Sequence, residues 1–119
     1  LPVILAVHVN HADELDGKTE AALKNLREAG VMLLTQTVLL RGVNDSVASL
    51  AALFERAVEC GITPYYLHQL DRVAGAAHFE VDPERGLSIM RELRDRLPGY
   101  MVPRYVQEIP GQDSKLPVG

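Results

Sequence analysis

Side chains able to do chemistry gather at four places in this chain. His8, Asn10 and His11 form the first group, and Arg41, Asn44 and Asp45 the second. His68, Gln69 and Asp71 form the third, and the stretch from Glu108 to Lys115 the fourth. Imidazoles, carboxylates and a lysine amine could between them hold a metal, grip a cation or supply a nucleophile. Each also has a plainer role. His8 interrupts an apolar run, where an imidazole is costly without a partner, and the pattern favours a satisfied core histidine. Gln36, flanked by Thr35 and Thr37, suits a buried amide bonded to strand neighbours. Asp45 suits a helix cap, and His68 and Asp71 suit a turn. On one strand His8 and His11 would point to opposite faces, which disfavours a metal pair. Cys60 at a helix end suits a small buried hydrophobe. Lys115 follows a stretch too poor in glycine for a phosphate cradle, and GxxxxGK[ST] is absent.

These groups need elements to hold them. Val3 to Val9 is a short β-branched apolar run, as expected of a strand buried on both faces. Ala22, Leu23, Leu26 and Ala29 then recur on one helical face, and Gly30 stands where a left-handed residue ends a helix. Val31 to Leu40 reads as the second strand, and Asp45 as the cap of the next helix. That helix carries Val47, Leu50, Leu53, Phe54, Ala57 and Val58, and Gly61 closes it. Thr63 to Leu70 reads as the third strand, with Pro64 near its start. Asp82, Pro83 and Glu84 look like the cap and first turn of a third helix, which presents Ile89, Met90, Leu93 and Leu97 and stops at Pro98. Tyr100 to Gln107 reads as a fourth strand, and Glu108 to Gly119 has no clear period. The result is βαβαβαβ with parallel strands and right-handed crossovers. An open doubly wound sheet and an arc of a barrel are equally compatible with this periodicity. In either, ligands collect at the carboxyl ends of strands, where the four polar groups fall.

The 119 residues are 47% apolar and 24% charged with a net charge of −4, enough apolar material to form a core and too much for a disordered tail. No run is long enough to span a membrane, and Leu1 to Val9 lacks the basic start and cleavage site of a signal peptide. The acidic balance disfavours a general nucleic-acid surface. One cysteine permits neither an internal disulfide nor a cysteine-rich metal site. These features fit a cytoplasmic α/β protein.

Four ordered blocks narrow this further: HVNHADEL at 8–15, LLTQTVLLRGVND at 33–45, PYYLHQLDRVAGAAHF at 64–79 and GYMVPRYVQEIPGQDSKLPV at 99–118. Together they resemble the carboxyl-terminal half of the lysine 2,3-aminomutase family over nearly the whole chain. The resemblance implies a partial (β/α) barrel that uses pyridoxal phosphate, S-adenosylmethionine and a [4Fe–4S] cluster to move the α-amino group of lysine to the β carbon. Residue by residue, it makes Lys115 the amine that forms the Schiff base with pyridoxal phosphate. Asp71 and Glu108 match the carboxylates that grip the side-chain ammonium of the substrate lysine. Gln36, His68 and His8 match positions of the cofactor pocket. It divides the chain into barrel βα units at 1–107 and a lysine loop and tail at 108–119.

Departures from the family pattern carry information. Gly111-Gln112-Asp113-Ser114 replaces a run of four glycines, Glu108 replaces aspartate, and Ser46 stands where some members have a zinc-ligand cysteine. The ending E-I-x-G-x-x-S-K-x-P is more similar to the branch that makes (R)-β-lysine for elongation factor P. A CxxxCxxC cluster motif is absent, as are the family's arginines for phosphate and substrate carboxylate. The resemblance therefore implies about a third to a half of an enzyme, since such barrels take ~200 or more residues, with the cluster-binding part amino-terminal to Leu1. This chain alone is expected to be inactive. A cut barrel would expose a strand edge at Val3–Val9 and an interior lined by His8, Gln36 and Tyr66, so dimerisation, strand swapping or aggregation is expected. The alternatives are an aminomutase for another amino acid, which the acidic pair Asp71 and Glu108 disfavours for an acidic substrate, and a non-catalytic α/β scaffold.

Overall fold

The computed structural model describes residues 3–70, 77–108 and 115–119. Strand β1 (Val3–His8) is followed by helix α1 (Gly17–Glu28), β2 (Val31–Leu39), α2 (Val47–Glu59), β3 (Thr63–Gln69), α3 (Pro83–Arg96), β4 (Arg104–Glu108) and β5 (Lys115–Pro117). The strands form one sheet in the order β1-β2-β3-β4-β5. The first four run parallel, and β5 returns antiparallel on β4.

Sequential order has a physical consequence: one face of the sheet carries the helices. In β2 the odd residues Leu33, Thr35, Thr37 and Leu39 are buried. They join Leu23 of α1, Leu50, Leu53, Phe54 and Ala57 of α2, and Ile89, Met90 and Leu93 of α3 around one core. A doubly wound sheet would divide its helices between both faces; here they share one. The even residues of β2 face the other way, and Met32 is 54% exposed.

Local signals account for most boundaries. Gly30 and Gly61 end α1 and α2 with φ of 91° and 78°, where a side chain would be strained. Asp82 caps α3 by accepting the Glu84 N–H at 3.0 Å, with Pro83 in the first turn. Cys60 is fully buried among the hydrophobes, as the sequence suggests.

The structure corrects the sequence reading at six points. First, β1 is not buried on both faces. Val3 and Leu5, level with Val31 and Leu33 on the helix side, are 60% and 42% exposed, and Ile4, level with Met32 on the helix-free face, is 57% exposed; among the described residues β1 pairs with β2 alone. Second, Asp45 does not cap α2: Ser46 does, accepting the Ser49 N–H at 3.1 Å, while Asp45 closes the preceding turn by accepting the Gly42 N–H at 2.9 Å. Third, only Leu23 of the α1 stripe is buried, and Leu26 is 37% exposed. Fourth, Gly99–Met101 forms a 3-10 turn rather than strand, and β4 starts after Pro103, whose missing N–H suits a strand entrance. Fifth, the stretch after Glu108 contributes a strand, β5, which the sequence left without a period. Sixth, β3 is irregular opposite Leu34 and Gln36. Pro64 falls within that irregularity, and the buried Thr35 hydroxyl accepts the Tyr65 N–H at 3.0 Å.

Candidate functional site

Strand register decides which polar groups share a face. His8 is level with Gln36, Gln36 with Tyr66, and Tyr66 with Arg104. An imidazole, an amide, a phenol and a guanidinium therefore form one row across four strands on the helix-free face. His68 follows Tyr66 on that face, their rings 5.6 Å apart and edge to face. Gln36, Tyr66 and His68 are half-buried, whereas His8 and Arg104 are exposed. His8 is thus no core histidine. It ends β1, which among the described residues pairs with β2 alone, and it is exposed on the helix-free face.

Other members of the polar groups hold the scaffold together. Asn44 is buried, at 1% exposure, and uses both ends of its amide. Its Oδ1 accepts the Leu40 N–H at 2.8 Å, and its Nδ2 donates to the carbonyls of Asn10 and Val38, each at 2.9 Å. Asn10 Oδ1 in turn accepts the Val38 N–H at 2.9 Å. The Thr37 hydroxyl donates to the Val9 carbonyl at 2.6 Å. These bonds fix the carboxyl ends of β1 and β2 side by side, and so fix the distance between His8 and Gln36. His11 is not on a strand: it starts the 3-10 turn Ala12–Glu14, its Nδ1 accepting the Asp13 N–H at 3.1 Å. Arg41 donates to the His78 carbonyl, and its N–H to the Phe79 carbonyl at 2.8 Å, joining the loop after β2 to the segment before α3.

Gln69 also has a scaffold role. It lies on the helix-covered face, 5% exposed, donating Nε2 to the Val81 carbonyl at 2.6 Å and accepting the Tyr105 hydroxyl through Oε1. Burial, with Asp82 nearby, pushes the Tyr105 phenol up to about 12, so it remains a donor at any ordinary pH. Burial also pushes the Cys60 thiol up, against the pull of Arg56. Sequence reasoning missed this buried amide–phenol pair; Gly86 inside α3, directly over the tyrosine, is the signal that could have found it.

Of the catalytic and substrate-binding candidates, Asp71 lies outside the described residues. Lys115 and Glu108 sit on the two strands that close the sheet. Glu108 is the last residue of β4, Lys115 the first of β5, and the two are register partners. Glu108 and Lys115 are therefore both at the carboxyl end of β4, the end of a parallel strand where α/β folds hold their ligands. Among the described residues no group of three or more histidine, cysteine, aspartate or glutamate side chains could hold a metal ion. No described helix is long and apolar enough to cross a membrane.

No family model matches the chain. Curated proteins do. The L-lysine 2,3-aminomutase of Escherichia coli is 48% identical over 118 residues, covering 99% of this chain and 34% of that protein. That of Haemophilus influenzae is 39% identical over 115 residues, covering 97% of this chain and 34% of its own length. The Clostridium subterminale protein of the same name is 40% identical over 117 residues, covering 98% of this chain and 28% of its own length. The chain thus spans about a third of the length of the curated relatives it matches, in their carboxyl-terminal part. Over nearly its whole length, the chain is similar to the carboxyl-terminal part of curated proteins named L-lysine 2,3-aminomutase, at 38–48% identity.

Proposed function

We propose that these residues form the pyridoxal phosphate- and substrate-binding part of an L-lysine 2,3-aminomutase of the radical S-adenosylmethionine class. The observation that carries this is the pairing of Lys115 with Glu108 at the carboxyl end of β4, in the same sheet as the row His8, Gln36, Tyr66 and Arg104. In this reading the sheet is an arc of a partial barrel, and its helix-free face is the interior.

The donor set fits pyridoxal phosphate. Lys115 is a primary amine able to join an aldehyde reversibly. Gln36, His68 and His8 offer hydrogen-bonding groups on the interior face. When bound, the cofactor supplies a conjugated ring over which an unpaired electron can spread. Asp71 and Glu108 hold the side-chain ammonium of lysine by charge-assisted hydrogen bonds and so select a long cationic substrate. An iron–sulfur cluster does not fit these residues. Such clusters need several thiolates, and the one cysteine here is buried in the core with its thiol pushed up. Cluster and S-adenosylmethionine binding are assigned to an amino-terminal part. The glutamate at 108 and the S-K-x-P ending support a product destined for elongation factor P.

The test is turnover of L-lysine by the protein carrying this chain and its amino-terminal part, with the stereochemistry of the product scored. (R)-β-lysine is expected. A strictly (S) product overturns the elongation factor P branch, and no β-lysine from cofactor-replete protein overturns the function.

A further inference from the structure

A groove of about 720 Å³ lies where the carboxyl-terminal half of α3 passes the start of β4, on the opposite side of the sheet from β1. That is the size of a small-ligand site, typically ~300–1,000 Å³. Leu87, Arg91 and Arg94 recur at i, i+4 and i+7, so they share one stripe of α3 and line the groove together. Met90 and the half-buried Tyr66 of β3 add apolar surface. Arg104, at the start of β4, supplies a third guanidinium. Strand β5 pairs with β4 only from Val106 onward, so among the described residues no strand covers Arg104 on that side.

The charge of this groove runs against that of the chain. The net charge is −4, yet three guanidiniums line the groove and, among the described residues, no carboxylate side chain does. Glu92 and Asp95 stand on the same helix but outside the lining. Elsewhere arginines are used by the scaffold: Arg56 pairs with Glu20 at 3.1 Å, and Arg41 and Arg85 donate to backbone carbonyls. Arg91, Arg94 and Arg104 are exposed and make no ion pair or side-chain hydrogen bond among the described residues. Three like charges around one hollow repel each other, and an anion relieves that repulsion. A single carboxylate fills one guanidinium fork. A di- or triphosphate offers several anionic groups in a row, each able to accept two parallel N–H bonds, and so answers all three.

We propose that this groove is a binding site for a small anion of the di- or triphosphate class, held by Arg91, Arg94 and Arg104. His8, Gln36 and His68, assigned above to the cofactor, do not line it. Tyr66 and Arg104 belong both to the groove and to the polar row, so the anion sits at the β4 end of that row.

The experiment is isothermal titration calorimetry on the full-length protein loaded with pyridoxal phosphate, using tripolyphosphate, ATP and citrate as separate titrants. Arg91→Gln, Arg94→Gln and Arg104→Gln are compared with the parent; all three side chains are exposed, so each variant is expected to fold. Saturable tripolyphosphate binding is expected, weakened about five-fold by each substitution and largely lost at ~1 M salt. ATP binding tighter than tripolyphosphate gives the apolar wall a part in recognition; equal affinities place recognition in the phosphate chain, and both support the site. Absence of saturable binding overturns the proposal, as does citrate binding as tightly as tripolyphosphate. A substitution among the three that leaves affinity unchanged overturns the three-guanidinium site. Binding confined to cofactor-free protein places the anion where the pyridoxal phosphate goes, and the proposal falls.

Discussion

Replacing Asn44 tests how the carboxyl ends of β1 and β2 are held. The Asn44 side chain is 1% exposed and makes three hydrogen bonds, to the Leu40 N–H and to the carbonyls of Asn10 and Val38. Asn44→Ala removes all three at once and leaves a backbone donor and two carbonyls short of partners. At about 1 kcal/mol net per bond, with more where a group is left dry, the loss is roughly 3 kcal/mol. That is a large part of the ~5–15 kcal/mol that typically holds a domain together. Asn44→Asp has nearly the same shape but puts an oxygen against two carbonyl oxygens, and costs at least as much. Asn10→Ala loses the single bond to the Val38 N–H and costs about 1 kcal/mol. Urea denaturation followed by circular dichroism gives the three values, with an unchanged slope showing that stability alone has moved. A loss below about 1 kcal/mol for Asn44→Ala, or an aspartate variant as stable as the parent, refutes the reasoning that these bonds are dry and fully used.

Three other outcomes follow from the same structure. Cys60, fully buried and with its thiol pushed up, should resist alkylation at neutral pH until urea unfolds the chain; rapid labelling of native protein at this site contradicts its burial. Tyr105 binds its proton more tightly folded, at about 12, than unfolded, near 10, so its stabilisation is complete below pH 10 and is lost as pH rises towards 12. Denaturation profiles across that window should fall less steeply for Tyr105→Phe, and identical slopes reject the burial effect. The 119-residue chain on its own should self-associate through the open side of β1 and the exposed Ile4 and Met32, and a dilution-independent monomer by light scattering rules this out.

Much of this fold is legible in the sequence because its signals are local. Gly30 and Gly61 mark helix ends by the backbone they permit, Asp82-Pro83 marks a helix start, and the α2 stripe of Leu50, Leu53, Phe54 and Ala57 records the face that packs. What escaped depends on neighbours. The apolar run of β1 reads as buried, but burial is decided by whatever lies beyond it. Short β5 exists only as a partner of β4 and has no pattern of its own. Among the site candidates, the row formed by His8, Gln36 and Tyr66 follows from strand register, and Arg104 joins it though no sequence signal marks it. Asn10, Asn44 and Gln69 look like site residues in the sequence because they are polar at strand ends; the structure uses them to hold those ends together.

The central claim, that Lys115 is the amine that takes pyridoxal phosphate in a lysine 2,3-aminomutase, is tested most directly by borohydride reduction of the cofactor-loaded full-length protein, followed by peptide mapping. A phosphopyridoxyl group on Lys115, absent from Lys115→Ala, is the predicted result. An adduct on another lysine, or none in cofactor-replete protein, would contradict it.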